Sequence, residues 1–184
     1  MKENLKIILV LTVTCIACSF CLALVNGLAK DKIEANGKKK IEDAIAVLMP
    51  RAARIDVIAG DMPLWKLSDV SGKPLGFAFL IKGDGYQGTI KILGVADALV
   101  TRLEGIEIIE SVETPGLGAR IKEDFFKKRF SGLDIRNPIE CVKEEPNRAG
   151  QIKAISSATI SSKAVVSILN KNMDVVRERL KEES

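Results

Sequence analysis

The segment Glu113-Thr114-Pro115-Gly116-Leu117-Gly118 follows a run of residues typical of a β-strand that ends near Ser111. Its proline stiffens the turn, and its two glycines leave backbone N–H and C=O groups open to a flat polar ligand. Leu117 adds an apolar surface on which a ring could lie. Taken alone, the segment is as typical of a plain loop as of a binding site.

Two other segments combine turn residues with groups that could hold a ligand. Gly83-Asp84-Gly85-Tyr86-Gln87-Gly88 precedes a predicted strand, and its glycines would let the backbone approach a ligand closely, although a simple hairpin turn has the same composition. Ile155-Ser156-Ser157-Ala158-Thr159-Ile160-Ser161-Ser162 opens the last predicted helix. Ser156 or Ser157 could be its N-cap. Alternatively, the free N–H groups there favour a phosphate, which could be attached to the Thr159 hydroxyl.

An uncharged run over residues 7–29 dominates the N-terminal region. As a helix, its 23 residues would be about 34 Å long, enough to cross the hydrocarbon core of a bilayer. We expect a retained signal anchor, because the run is longer than the apolar part of a cleaved signal peptide and no small-x-small cleavage site closes it. A cleaved signal peptide and a lipoprotein site at Cys15, Cys18 or Cys21 are the alternatives.

The charges and cysteines around this run carry less specific signals. More lysines follow it than precede it, so the positive-inside rule alone would keep the following domain inside the cell. Cys15, Cys18 and Cys21 lie near one face of the predicted helix, either as ligands of an iron–sulfur cluster or, as we favour, as small residues packed against other membrane helices. Cys141 is alone in the rest of the chain, so an exported domain would depend on its core rather than on disulfides.

The remaining pattern predicts an α+β domain, an antiparallel sheet with helices at both ends of the chain. An apolar stripe continues the helix over residues 31–48, and Pro50 ends it. Strand-like runs cover residues 54–59, 64–70, 76–82 and 89–95, with a pair at 99–103 and 105–110. We expect a short amphipathic helix over 121–130, a strand or extended loop over 135–142, and a long helix over 158–181. The apolar stripe of that last helix consists of Val165, Val166, Leu169, Met173, Val176 and Leu180.

The composition argues against several classes of function. The chain has 184 residues, a net charge of +4 and 4% aromatic residues, which argues against a partner nucleic acid. It has no histidine, which excludes histidine acid–base catalysis, Ser-His and Cys-His nucleophile pairs and histidine metal sites. Any chemistry must come from other groups or from a cofactor. We therefore expect no catalytic residue and no metal ligand in this chain.

Three motifs, taken in their order along the chain, resemble those of a known family. They are the glycine loop with Tyr86, then Glu-Thr-Pro-Gly-Leu-Gly, then Ser-x-Ala-Thr-x-Ser-Ser at residues 156–162. The family is the FMN-binding domain family of the G subunit of the Rnf complex and of the related C subunit of sodium-pumping NADH:quinone oxidoreductase. The likeness covers nearly the whole chain, and the length fits the Rnf member better. It implies a tail and single transmembrane helix over residues 1–30, followed by an FMN-binding domain over 31–184, with a twisted antiparallel sheet flanked by helices.

The resemblance also implies a site. In this family, FMN is linked by a phosphoester to the threonine of the last motif, which is Thr159 here. The other residues expected at the flavin are Gly85, Tyr86, Glu113, Thr114, Gly116, Leu117, Gly118, Ser156, Ser157 and Ala158. Lys153 stands where the family usually has aspartate, Ser157 where it usually has glycine, and Ser111 where a histidine is common.

The resemblance further implies an electron-transfer subunit of an ion-translocating ferredoxin:NAD+ oxidoreductase. Its soluble domain would lie on the extracytoplasmic side of the inner membrane, with multi-span and iron–sulfur subunits as partners and a flavin transferase for maturation. Because the span carries no charge, the ion path belongs to partner subunits. Two alternatives remain open. One is a membrane-anchored flavin-binding regulatory or sensor module, and the other is a structural subunit without attached flavin, which Lys153 would favour.

Overall fold

The structure is a computed structural model that describes residues 2–182. The outer limits of the two predicted domains, Met1 and Ser184, lie outside the described residues, as does Glu183. Contacts divide the chain after Lys40 into two units. Helix α1, Lys2–Leu48, runs through the first unit and ends in the second, so the helix predicted over residues 31–48 is confirmed.

The first unit contains the apolar part of α1 and the charged stretch that follows it up to Lys40. Within the described residues, Lys6–Leu48 is the one helical stretch long and apolar enough to cross a membrane. Its most apolar window has a mean hydropathy of 2.7 and is not buried against the protein. Thr12 and Thr14 each donate a hydroxyl hydrogen bond of 2.8 Å to the carbonyl oxygen four residues earlier, which satisfies these polar groups inside the helix.

A six-stranded antiparallel sheet forms the centre of the second unit. Each strand pairs with the next one along the chain, so the spatial order is β1-β2-β3-β4-β5-β6. The strands are β1 Arg54–Ile58, β2 Leu64–Ser68, β3 Pro74–Asp84, β4 Thr89–Asp97, β5 Arg102–Ser111 and β6 Leu133–Asp134. The first four predicted strands are confirmed, with ends that differ by a few residues.

The predicted pair of strands at 99–103 and 105–110 is wrong, because β5 is one continuous strand. Its start is set by a turn in which the Asp97 carboxylate accepts the N–H groups of Thr101 at 2.7 Å and Arg102 at 2.9 Å. Gly105 does not interrupt the strand. A Cβ at this position would lie 2.8 Å from Leu48 Cδ2, so glycine here gives room to the last turn of α1.

The two faces of the sheet pack against different helices. In β4, Ile90 and Ile92 join a core cluster with the helix near the C-terminus, whereas Leu93 and Val95 join a second cluster with the last turns of α1. This division follows from the alternation of side chains along a strand. Ile33, which the sequence placed on the same stripe as these last turns, lies in the first unit and is exposed.

The segment after β5 departs from the prediction of one helix over residues 121–130. It forms a 3-10 helix Gly118–Lys122, the short helix α2 Asp124–Lys127 and a 3-10 helix Lys128–Phe130. Glu123 breaks the helix because its backbone is extended, with φ −73° and ψ 144°. The amphipathic pattern nevertheless buries Phe126 and Phe130, whose ring centroids are 5.3 Å apart in an edge-to-face contact.

A second, two-stranded sheet precedes the last helix. Only β7, Glu140–Val142, is a strand within the predicted 135–142 segment, and it pairs in parallel with β8, Gln151–Lys153, which the sequence did not predict. Helix α3, Thr159–Glu182, follows a 3-10 turn Ser156–Ala158. All six residues of its predicted apolar stripe are buried, so the long C-terminal helix is confirmed.

Candidate functional site

A surface cavity of about 350 Å³ brings together the three segments singled out in the sequence. This volume lies within the range of small-molecule sites. Nine of the eleven predicted site residues line the cavity, and Ile160 and Ser161 line it in addition. The nine are Tyr86, Glu113, Thr114, Leu117, Gly118, Ser156, Ser157, Ala158 and Thr159. The other two predicted residues, Gly85 and Gly116, are not among the lining residues.

The meander of the sheet explains why the first two segments meet. The glycine loop connects β3 to β4, and the Glu-Thr-Pro segment leaves the end of β5. Ile90 at the start of β4 pairs with Ser111 at the end of β5, so both segments emerge from the same edge of the sheet. The start of α3 completes the cavity at this edge.

Glu113 is a buried carboxylate that joins all three segments. Its Oε1 accepts the backbone N–H groups of Tyr86 at 2.6 Å and Gln87 at 3.1 Å, and its Oε2 accepts the hydroxyl of Ser161 at 2.6 Å. The side chain is only 4% exposed. Three donors compensate the buried charge. In this arrangement Glu113 holds the walls of the cavity together through bonds to the protein itself.

Two of the glycines make room for this carboxylate. A Cβ at Gly85 would lie 2.3 Å from Glu113 Oε1, and a Cβ at Gly118 would lie 2.4 Å from Oε2. Gly116 has a different reason, because its φ of +74° belongs to the left-handed region that favours glycine. Of these three glycines, Gly116 serves the turn and Gly85 and Gly118 make room for the carboxylate, and only Gly118 also lines the cavity.

Apolar side chains around the cavity are unusually exposed. Leu117 is 52% exposed, Ile160 is 60% exposed and Tyr86 is 65% exposed. All three line the cavity. Exposed apolar side chains beside a concave polar site are typical of a binding site for a ring system, since a bound ring would remove their surface from water.

The start of α3 presents hydroxyl groups to the same cavity. Thr159 is the first residue of the helix, and its Oγ1 donates to the carbonyl oxygen of Ile155 at 3.3 Å. The N-cap expected from Ser156 or Ser157 is wrong. The backbone N–H of Ile155 instead donates to Oγ of the buried Ser162 at 3.0 Å. Ser156 and Ser157 are exposed at the positive end of the helix dipole, where an anion is favoured.

Sequence reasoning missed Arg120, which follows Gly118 by two positions. Its Nη1 donates to Ser157 Oγ at 3.0 Å, so a positive charge lies beside a residue that lines the cavity. Lys153, the departure from the usual family pattern, is placed differently. Its ammonium forms an ion pair with Glu145, and Lys153 does not line the cavity.

The metal-ligating residue types and the cysteine of the second unit lie as follows in the described part of the chain. Among residues 2–182, no group of three or more His, Cys, Asp or Glu side chains could hold a metal ion. Burial raises the pKa of the Cys141 thiol, and the nearby charges of Lys163 and Arg129 oppose this shift. Cys141 therefore remains a protonated thiol near neutral pH, the less reactive form.

Comparison with known proteins gives concordant matches. The FMN-binding domain family matches residues 85–174, from the glycine loop into α3. The chain is 32% identical to the G subunit of the ion-translocating oxidoreductase complex of Aliivibrio fischeri, over 86% of this chain and 83% of the relative. It is 28% identical to the corresponding protein of Methanosarcina acetivorans, over 95% of both chains. It is 29% identical to the G subunit of the Na+-translocating ferredoxin:NAD+ oxidoreductase complex of Acetobacterium woodii, over 95% of this chain and 92% of that one.

Two solved structures share the fold. The C subunit of the Na+-translocating NADH-quinone reductase of Parabacteroides distasonis superposes with a TM-score of 0.56 at 25% identity, over 64% of this chain and 62% of that chain, slightly less than two thirds of it. The NqrC protein of Shewanella oneidensis superposes with a TM-score of 0.59, over 72% of this chain and 73% of that one. At 16% identity the second likeness shows the fold alone. The predicted α+β class is confirmed.

Proposed function

Because the chain belongs to the family of G subunits of ion-translocating oxidoreductase complexes, we propose that it is the electron-transfer subunit of such a complex and carries covalently bound FMN. The complex would be a ferredoxin:NAD+ oxidoreductase, as the names of two relatives state for their own complexes. The observation that carries the proposal is the cavity in which Thr159, the exposed hydroxyls of Ser156 and Ser157 and the apolar rim meet.

The residues of this cavity fit FMN in its two chemically different parts. The half-exposed side chains of Tyr86, Leu117 and Ile160 offer apolar surface to a planar ring system. The start of the long helix α3 offers N–H groups and a positive dipole end to a phosphate. FMN held by these residues would supply electron transfer, while the protein would fix its position.

Among the hydroxyls in the first turn of α3 itself, Thr159 is best placed to form the phosphoester. Ser161 donates its hydrogen to Glu113, and Ser162 is buried and donates to the carbonyl oxygen of Ala158. Thr159 Oγ1 has only long contacts of 3.3 Å and 3.5 Å to carbonyl oxygens, and it lines the cavity. A flavin transferase would join Oγ1 to the phosphorus of a flavin dinucleotide. The pyrophosphate bond of the donor breaks, the nucleotide monophosphate leaves, and the hydroxyl proton passes to solvent.

Glu113 is proposed to act at this site by positioning rather than by contact with the flavin. Its bonds to Tyr86, Gln87 and Ser161 fix the distance between the glycine loop and the first turn of α3. Gly85, Gly116 and Gly118 permit that arrangement, as their backbone geometry and the nearby carboxylate oxygens indicate. The residues expected to touch FMN are therefore the lining residues other than Glu113, with Thr159 as the attachment point.

The proposal includes a single-pass anchor in the inner membrane. The apolar, unburied part of α1 supports it, and the soluble domain would lie on the extracytoplasmic side. The partners would be multi-span and iron–sulfur subunits of the same complex. The ion would cross in those subunits, because the span over residues 7–29 carries no charge.

The two alternatives have less support. A regulatory or sensor module outside a respiratory complex would resemble this chain only in the FMN-binding domain. The likeness to the subunits of ion-translocating complexes instead extends over 95% of the chain. A structural subunit without flavin was suggested by Lys153. Its ion pair with Glu145, away from the cavity lining, leaves the cavity open to FMN.

The intact mass of the purified chain tests the proposal. We expect the chain, co-expressed with a flavin transferase, to gain the mass of FMN minus water and to show flavin fluorescence on a denaturing gel. It should also co-purify with multi-span and iron–sulfur subunits from native membranes. An unmodified mass in the presence of an active transferase would overturn the covalent assignment, and flavin attachment without those subunits would favour the sensor alternative.

A further inference from the structure

A positively charged side chain that no sequence motif indicated lies at the border of the cavity. Arg120 belongs to the 3-10 helix Gly118–Lys122, and its Nη1 donates to Ser157 Oγ at 3.0 Å. Ser157 lines the cavity together with Thr159, two residues further along the chain. The guanidinium is thus held at the segment that would carry the phosphoester.

Aromatic stacking fixes the orientation of this guanidinium. The Cζ atom of Arg120 lies 5.2 Å from the ring centroid of Phe125, and the Cζ atom of Arg129 lies 5.3 Å from the same centroid. Arg129 in turn donates to the carbonyl oxygen of Lys153, at the end of β8. The contact with Phe125 and the hydrogen bond to Ser157 restrict the freedom of Arg120, so less entropy is lost when it binds an anion.

Most of the hydrogen-bonding capacity of Arg120 remains available. A guanidinium has five N–H donors. Within residues 2–182, its hydrogen bonds go to Ser157 Oγ from Nη1 and to Glu123 Oε1 from Nε, the latter at 3.3 Å. The side chains of Arg120 and Glu123 are 37% and 49% exposed, so this ion pair contributes little and can yield to a better acceptor.

We propose that Arg120 binds the phosphate group of the flavin attached to Thr159, with Ser157 orienting the guanidinium. This inference rests on the proposed function and adds a recognition residue to it. A phosphodiester carries one negative charge and two free oxygens, which match the planar donors of a guanidinium. The N–H groups at the start of α3 would bind the same phosphate, so both groups neutralise its charge.

Three variants of the full-length chain test Arg120. Arg120→Gln removes the charge, and Arg120→Lys keeps the charge without the planar donors. Arg148→Gln is the matched control, because it removes an equally positive charge from an exposed ion pair with Glu140. Each variant is flavinylated with the transferase and FAD, and two quantities are measured: the initial rate of mass gain at limiting FAD, and the ³¹P NMR resonance of the attached phosphodiester.

We expect Arg120→Gln to slow attachment by about three- to tenfold, the loss of one partly exposed charge-assisted contact, and to shift the phosphorus resonance. Arg120→Lys should fall between this variant and the wild type, and Arg148→Gln should match the wild type in both measurements. If Arg120→Gln attaches no flavin, the resonance of Arg120→Lys carries the test.

An unchanged phosphorus resonance in the flavinylated Arg120 variants would overturn the inference, whatever the attachment rate, because a cation that contacts the phosphate must affect its resonance. The proposed function would survive that result, since the wild type still carries flavin. Failure of the wild type to gain FMN minus water would instead contradict the proposed function itself.

Discussion

At the scale of single residues, Glu113 organises the candidate site more than any other group. A carboxylate that is 4% exposed is costly to bury unless it is fully hydrogen-bonded, and Glu113 meets this condition with two backbone N–H groups and one hydroxyl. The two N–H groups belong to the glycine loop, and the hydroxyl belongs to Ser161 in the first turn of α3. The shape of the site therefore depends on a residue that need not touch the ligand.

The consequence can be tested by substitution. Glu113→Ala leaves two loop N–H groups and the Ser161 hydroxyl without their acceptor, so we expect a loss of about 3 kcal/mol in unfolding free energy. Glu113→Gln keeps one acceptor oxygen and should cost about 1 kcal/mol. The measurement is denaturant unfolding of the full-length chain in detergent, with the exposed Glu144→Ala as control. Equal stability of Glu113→Ala and the control would contradict this role.

The sequence indicated the lining residues but not the bonds between them. The resemblance to the FMN-binding family implied one site for Thr159, Leu117 and Tyr86, and the structure brings them together. The sequence could not separate the residues that line the cavity from those that hold its walls in place. That distinction depends on the contacts that a carboxylate such as Glu113 makes after folding. Arg120 was missed for a similar reason. Its link to Ser157 joins residues 37 positions apart, which no local pattern predicts.

At the scale of secondary structure, hydrophobic periodicity correctly predicted the helices and strands that long-range packing does not interrupt. The stripe of α3 was correct because the helix buries one regular face, and strands β2, β3 and β4 were correct because their apolar runs supply the two core clusters. The helix predicted over 121–130 is interrupted at Glu123, whose extended backbone no local pattern indicated, although Phe126 and Phe130 are both buried as the pattern predicted. The short strand β8 has three residues, too few for an alternation to show.

Glycines in the sheet allow a test at this scale. A Cβ at Gly94 in the middle of β4 would lie 2.4 Å from the ring of the fully buried Phe79, so Gly94→Ala should overpack the core and cost about 1–3 kcal/mol. Gly37→Ala in α1 is the control, because nothing lies within 4 Å of its Cβ and alanine is the better helix former. The midpoint temperature of thermal unfolding should fall for Gly94→Ala and not for Gly37→Ala. The reverse order would contradict the packing of Phe79 against this face of the sheet.

At the scale of the whole molecule, the chain combines an apolar helix long enough to cross a membrane with a domain that contains the candidate site. The continuous helix α1 contains the apolar stretch, and the second unit contains the sheet, α3 and the candidate site. The domain has one cysteine, so it depends on its core, which the two clusters on either side of the sheet provide. Such a domain can fold in an oxidising compartment without disulfides.

Membrane retention and orientation form one prediction at this scale. We expect the mature chain to keep residues 7–29, because the run is longer than a signal-peptide core and no cleavage site closes it. N-terminal sequencing checks this, and a mature chain that begins near Lys30 would contradict it.

We expect protease added to the extracytoplasmic side of oriented vesicles to digest the domain. Digestion from the cytoplasmic side alone would show that the lysines after the span determine the orientation.

The intact mass of Thr159→Val tests the central claim most directly. Valine keeps the shape of threonine and removes the oxygen, so the account predicts no attached flavin and an unchanged circular dichroism spectrum. Thr159→Ser should retain partial attachment, and Ser167→Ala, an exposed hydroxyl on the same helix, should gain the full mass of FMN minus water. A Thr159→Val chain that still gains this mass would place the attachment elsewhere and contradict the account.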